Sequence, residues 1–163
     1  MKRRILVGLV LGMMVFATMT VSAQQNIFVS YNKTGHMNVY ATVGWGGGYW
    51  LLGAAVSAEF VIGQFSLGPV PFDWGIMASG VMNFLPGFGI GADAMATLHL
   101  GLIWNLDFYA GLGLGVGILP FDIGLAQTVG VVYKLSDTLY LQGQEIWNSN
   151  GPGVYGVGIV LKL

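Results

Sequence analysis

Residues 106–118 alternate without interruption between apolar side chains and small or polar ones. The apolar positions are Leu106, Phe108, Ala110, Leu112, Leu114, Val116 and Ile118. The positions between them are Asp107, Tyr109, Gly111, Gly113, Gly115 and Gly117. A period of two is typical of a β-strand, because successive side chains point to opposite faces. These residues therefore predict a long strand with one apolar face and one small or polar face.

The composition indicates that the apolar face of this strand lies in a lipid bilayer. Charged residues make up 8% of the chain, against about 25% in typical soluble proteins, and the mean hydropathy is +0.70. Helices are disfavoured because 27 glycines are spread along the chain, and prolines and acids interrupt its apolar stretches. In a bilayer only helices and closed barrels satisfy every backbone polar group. The expected fold is therefore an all-β, transmembrane, antiparallel up-and-down barrel.

Residues 1–23 have the pattern of a cleavable secretory signal peptide. A basic start at residues 2–4 precedes an apolar run at 5–19, and small residues at 21–23 suggest cleavage after Ala23. The alternative is an uncleaved membrane anchor, which is disfavoured because a spanning helix needs roughly 20 apolar residues. The sequence thus predicts an exported chain with a periplasmic lead-in at 24–35 and a barrel at 36–163. Alternation at residues 27–31 could add a short extra strand.

The composition also disfavours several function classes. The chain has no cysteine, which removes a disulfide framework and a cysteine-based zinc site. Its two histidines, His36 and His99, are far apart in the sequence, so neither a metal site nor a cofactor is expected. Beyond residue 4 the basic side chains are scattered lysines without a basic patch, which argues against a nucleic-acid partner.

Eight alternating segments follow the lead-in, separated by turn-forming residues. They span 36–45, 49–62, 73–85, 89–104, 106–118, a sixth segment ending at 135, 138–147, and a last segment that ends the chain. Each is about as long as the roughly 9–11 residues that a tilted membrane strand needs. The expected barrel therefore has eight strands and short loops, and residues 63–72, with two prolines, form the longest expected connection.

All five tryptophans lie at segment ends. Tryptophan favours the membrane–water interface, where its apolar ring and its N–H group both find suitable surroundings. The alternative is that these rings anchor loops onto a soluble core. The predicted aromatic girdle consists of Trp45, Trp50, Trp74, Trp104 and Trp147.

The final segment carries the most specific local pattern, with apolar residues at alternate positions up to the C-terminus. These are Tyr155, Val157, Ile159, Leu161 and Leu163. In architecture the chain resembles the small eight-stranded outer-membrane barrels of Gram-negative bacteria, the OmpA/OmpX-type and OmpW-like group. The resemblance implies the lipid bilayer as partner, periplasmic termini, and a last strand that the outer-membrane assembly machinery recognises. The chain departs from that group in its short connections and in ending on leucine rather than an aromatic residue.

Five charged, inward-facing residues come to lie near the periplasmic end of such a barrel. An eight-stranded barrel is just wide enough to be filled by side chains, so these residues could close it as an ion-paired plug; alternatively they ring a wet rim. The predicted plug consists of Glu59, Asp73, Asp107, Lys134 and Lys162. The inward glycines of 106–118 either make room for the rings of Tyr109 and Tyr140 or leave a cavity.

Catalytic chemistry finds little support in the sequence. His99 and Asp93 share the inward face of one segment, but six strand residues separate them by roughly 20 Å. The inward hydroxyls of Ser57 and Ser79 lack a Gly-x-Ser-x-Gly context. The chain is therefore expected not to be an enzyme, and to serve as a structural membrane component or a narrow porin-like pore. The alternatives are a lipid-modifying barrel enzyme with His99 as base, and a polytopic helical inner-membrane protein.

Overall fold

The computed structural model describes residues 27–47, 51–119 and 121–163. The predicted signal peptide at 1–23 and Trp50 lie outside these described residues. The strands are β1 (Phe28–Val29), β2 (Met37–Gly46), β3 (Leu52–Leu67), β4 (Val70–Phe84), β5 (Phe88–Leu102), β6 (Leu106–Leu119), β7 (Phe121–Lys134), β8 (Leu139–Asn148) and β9 (Val154–Lys162). The described part of the chain contains no helix of the length and apolarity that a membrane span requires. Its regular structure is entirely β, so the polytopic helical alternative is wrong.

Strands β2–β9 form a closed antiparallel barrel of eight strands. Each strand pairs with its sequence neighbours, and β9 returns to pair with β2 from Val154 opposite Gly46 to Lys162 opposite Asn38. The predicted up-and-down barrel is therefore confirmed, and closure leaves no unpaired sheet edge between its strands. The end at which β2 begins and β9 ends is called here the terminal mouth, and the opposite end the distal mouth.

Side chains alternate along the barrel strands between an apolar outer surface and a buried lumen. In β2, for example, Val43 is exposed and Thr42 is buried. The predicted faces of residues 106–118 are likewise confirmed, since Leu112 and its apolar neighbours point outward. Polar departures from the outer surface occur at Gln127, near the middle of β7, and at Glu145, in the distal half of β8.

The longest connection predicted from the sequence, at residues 63–72, is not a loop. β3 and β4 continue through it as a hairpin, in which Phe65 stacks on Phe72 at a centroid distance of 5.5 Å. The hairpin turns at Gly68, whose φ of 61° is readily adopted by glycine. Pro71 is tolerated because β5 does not pair with this part of β4, which leaves it an edge strand.

The described part of the predicted lead-in, residues 27–35, is attached to the terminal mouth. β1 pairs with the end of β5, where Val29 stands opposite Gly101, beyond the point at which the β4–β5 pairing stops. The short extra strand considered at 27–31 is therefore present. After β1 the chain enters the lumen, where the side chain of Asn32 is buried.

Candidate functional site

A buried charged layer lies in the terminal half of the lumen. The imidazole of His99 stands between two carboxylates, with Nε2 2.8 Å from Glu59 Oε1 and Nδ1 3.1 Å from Asp107 Oδ2. Ionised carboxylates only accept hydrogen bonds, so a doubly protonated imidazolium satisfies both contacts. The hydroxyls of Tyr40 and Thr97 also donate to Glu59. A single positive ring thus sits between two negative groups, out of contact with solvent.

The N-terminal segment completes this layer by inserting the side chain of Asn32. Its Nδ2 donates to Asp107 Oδ2 at 3.0 Å and to Asp73 Oδ2 at 3.3 Å. Its Oδ1 accepts from Asn38 Nδ2 at 3.2 Å and from Lys162 Nζ at 2.6 Å. One side chain from outside the barrel wall therefore connects strands β2, β4, β6 and β9. The charged layer is defined here as Asn32, Glu59, Asp73, His99 and Asp107.

The three acids of the predicted plug do come together. Glu59, Asp73 and Asp107 are all buried in the charged layer, but the cation between two of them is His99 rather than a lysine. Within the described ranges, no set of three His, Cys, Asp or Glu side chains converges as a metal site would.

The two lysines of the predicted plug have different surroundings. Lys162 reaches Asn32 and lies over the ring of Tyr140, with Nζ 4.3 Å from the ring centroid. Lys134 lies apart at the rim and pairs with the exposed Asp137 at 2.8 Å. The ion pairs predicted between these lysines and the lumen acids are therefore not found among the described residues.

Large side chains fill the cross-section next to the charged layer, on its distal side. Tyr40, Met77, Met95 and Tyr109, called here the Tyr–Met layer, belong to one buried cluster. The ring of Tyr109 covers Gly130, where an added Cβ would overlap it. This is the predicted packing of a tyrosine over an inward glycine, although the glycine lies in β7 rather than β6.

An uncharged network lines the wall formed by β2, β7 and β8. Gln142 Nε2 donates to Thr42 Oγ1 at 2.7 Å, and Thr42 Oγ1 donates to Gln144 Oε1 at 2.7 Å. Gln144 Nε2 in turn donates to Thr128 Oγ1 at 3.3 Å. The network crosses β9 at Gly158, which is the register partner of both Thr42 and Gln142. Polar side chains thus occupy the space that this glycine leaves.

Toward the distal mouth the lumen is filled by apolar side chains and by a loop. Pro152, in the β8–β9 connection, is buried and packs over β5, where a Cβ added at Gly91 would lie 2.9 Å from its Cγ. The second buried apolar cluster, the distal cluster, consists of Ala55, Val81, Ile146 and Val154.

The inward glycines of β6 have neighbours other than tyrosine. A Cβ added at Gly111 would lie 2.9 Å from Thr128 Cγ2, and one added at Gly115 would overlap Asn148 and Asp93. At these two positions the structure therefore shows neither a covering tyrosine ring nor an open cavity.

The described tryptophans lie near the two mouths. Trp45 and Trp147 stand toward the distal mouth and Trp74 and Trp104 toward the terminal mouth, whereas Trp50 lies outside the described residues. Trp45 and Trp104 are 71% and 61% exposed. Two opposite groups of outward rings are what an aromatic girdle at each membrane interface requires.

The sequence patterns did not identify two residues of the charged layer, His99 and Asn32. Alternation relates His99 only to residues of its own strand, such as Asp93, whereas its partners lie on β3 and β6. Sorting every inward polar residue by depth would have placed His99 beside Asp73, its register partner. Asn32 gave no signal, because it lies outside the alternating segments.

Comparison with known proteins identifies the class of fold. A solved structure of a de novo designed transmembrane β-barrel is similar to this chain, with a TM-score of 0.64 and 18% identity over 81% of this chain and 98% of the designed one. No family model and no curated protein matches. The chain is thus an eight-stranded closed barrel with the fold of a transmembrane barrel, and at this identity the likeness shows the fold alone.

Proposed function

We propose that this chain is a small integral outer-membrane barrel with a structural role, whose lumen does not pass solutes. The observation that carries the proposal is the filling of the lumen. The charged layer, the Tyr–Met layer and the distal cluster follow one another from the terminal to the distal mouth, and their side chains are buried. Because the lumen is filled in this way, the outer surface is the part of the barrel that contacts its surroundings.

The outer surface supports a membrane location. Large apolar side chains such as Val56, Leu114 and Val157 are more than 60% exposed at outward positions, which would be costly in water. The signal-like start, the alternating last strand and the resemblance to OmpA/OmpX-type and OmpW-like barrels support export to the outer membrane of a Gram-negative cell. The proposed partners are the lipid bilayer and, through β9, the outer-membrane assembly machinery.

The proposal also holds that the chain is not an enzyme. The candidate base, His99, is 2% exposed, and both of its ring nitrogens are engaged by carboxylates. A general base needs a free nitrogen within reach of the proton that it removes. The lipid-modifying alternative therefore lacks an available base in the described part of the lumen.

Cell fractionation and a permeability assay test this proposal together. The protein is expected in the outer-membrane fraction, with heat-modifiable gel mobility, and cells lacking it are expected to take up more of a large hydrophobic dye. Wild type and His36→Ala, a change at an exposed residue outside the strands, should restore the barrier equally. Recovery in the inner membrane, or unchanged dye uptake without the protein, would overturn the proposal.

A further inference from the structure

Three polar side chains stand side by side on the inner wall of the distal half. Ser57 is the register partner of Ser79 in the β3–β4 pairing, and Ser79 is the register partner of Asp93 in the β4–β5 pairing. Side chains at directly opposed positions have Cβ atoms roughly 5 Å apart. All three residues are at most 5% exposed. They are called here the serine row.

The oxygens of the serine row have no hydrogen-bond partners among the described residues. This holds for Ser57 Oγ, Ser79 Oγ and Asp93 Oδ2, whereas Asp93 Oδ1 accepts from Asn148 Nδ2 at 3.0 Å. A serine hydroxyl beside a carboxylate would ordinarily donate to it, yet neither hydroxyl does so here. Hydrogen bonds among the three residues therefore do not satisfy these oxygens.

The charge of the row is also uncompensated. In the described part of the chain no basic side chain lies within ion-pair distance of Asp93, and the lysines of the barrel lie toward the terminal mouth. An ionised carboxylate is costly to bury without a positive partner. The Tyr–Met layer separates this carboxylate from the imidazolium of His99, since Met77 and Met95 occupy the next inward positions of β4 and β5.

We propose that the serine row binds one small monovalent cation of the size of sodium. The ion would lie between Asp93 and its register partner Ser79, whose carboxylate and hydroxyl are oxygen donors that suit a hard cation, and the single negative charge matches a single positive one. Because the Cβ atoms of these two opposed residues are roughly 5 Å apart, rotation of both side chains lets their oxygens approach an ion between them at the ~2.4 Å typical of calcium, an ion of similar radius.

The test is the thermal stability of the refolded mature barrel, measured by heat-modifiable gel mobility at pH 8 and constant ionic strength. Sodium chloride is compared with N-methylglucamine chloride, whose cation is too large for the lumen. A ligand that binds only the folded state raises the midpoint with its concentration, so the wild-type midpoint is expected to rise by about 3 °C or more at about 150 mM sodium. The rise should be lost in Asp93→Asn.

Two further variants keep the test decisive. Asp122→Asn makes the same chemical change at an exposed acid, and should retain the full rise. Ser79→Ala removes one donor without changing charge, and should require more sodium for the same rise even if Asp93→Asn fails to fold. Equal wild-type midpoints in the two salts, or an unchanged sodium response in Ser79→Ala, would overturn the proposal and leave the row as a hydrated site only.

Discussion

The terminal and distal halves of the lumen are built on the same strands but are filled differently. In the terminal half, Glu59 and Asp107 share the imidazolium of His99, and Asn32 links four strands from within the mouth. In the distal half, apolar side chains and Pro152 occupy the space, and the oxygens of the serine row have no hydrogen-bond partner in the described residues.

This difference separates two ways of closing a narrow barrel. The terminal half depends on charge complementarity, so removing one charged partner leaves the other charge buried and uncompensated. The distal half depends on volume, so removing methyl groups leaves a cavity. The two halves should therefore respond differently to substitutions of similar size.

The largest expected effect is that of His99→Ala in the charged layer. The substitution leaves Glu59 and Asp107 facing each other without their shared cation, which should cost about 3–5 kcal/mol of unfolding free energy. Urea unfolding of the barrel in lipid vesicles measures this cost. His36→Ala, at an exposed histidine, serves as the control and should change stability by no more than about 0.5 kcal/mol. Equal stability of the two variants would contradict the role given to His99.

Ile146→Ala tests the distal half in the same assay. Ile146 is fully buried in the distal cluster, and truncating a buried isoleucine costs about 2–5 kcal/mol through lost burial and a residual cavity. The outward Ile123→Ala, at a 59% exposed position, is the matched control and should cost clearly less. If both cost the same, the distal half is not a packed interior.

Asn32→Ala tests whether the N-terminal segment holds the terminal mouth. The substitution removes the hydrogen bonds to Asp73 and Asp107, and should cost about 1–3 kcal/mol because buried acceptors lose their donor. Hydrogen exchange at β1 should rise at the same time. Thr34→Ala, an exposed change two residues away, should leave both measurements near wild type, and an unchanged β1 in Asn32→Ala would argue against the insertion.

The smallest effect is expected at the rim, outside the lumen. The hydrogen bond from Lys134 and its positive charge lower the pKa of Asp137 below its ordinary value. A lowered folded-state pKa gives stability that is present above the unfolded pKa and lost as the pH falls through the folded value. Since Asp137 is 94% exposed, the change in stability should be too small to measure. A nuclear magnetic resonance titration should show the Asp137 midpoint rising in Lys134→Ala, and an unchanged midpoint would disprove the pairing.

The barrel itself was predictable from the sequence because the features that define it lie within single strands or between consecutive strands. Alternation along each strand assigns the two faces, and in an antiparallel up-and-down barrel each strand pairs with its sequence neighbours. The hairpin at residues 63–72 was not predictable in this way, because proline normally interrupts a strand, whereas Pro71 is tolerated on an edge.

The charged layer was only partly predictable, because its contacts depend on the stagger between strands. Glu59, His99 and Asp107 come from three strands, and their depth relative to one another follows from pairing registers that alternation does not provide. The position of Asn32 depends on how β1 attaches to the end of β5, which no pattern within the lead-in indicates.

The central claim, that the lumen is closed, is tested most directly by planar-bilayer conductance. Wild-type barrels, shown by heat-modifiable mobility to be folded and inserted, should give no conductance steps. A conducting porin reconstituted in the same bilayers is the positive control for the measurement. Reproducible conductance steps from the wild-type barrel would contradict the account.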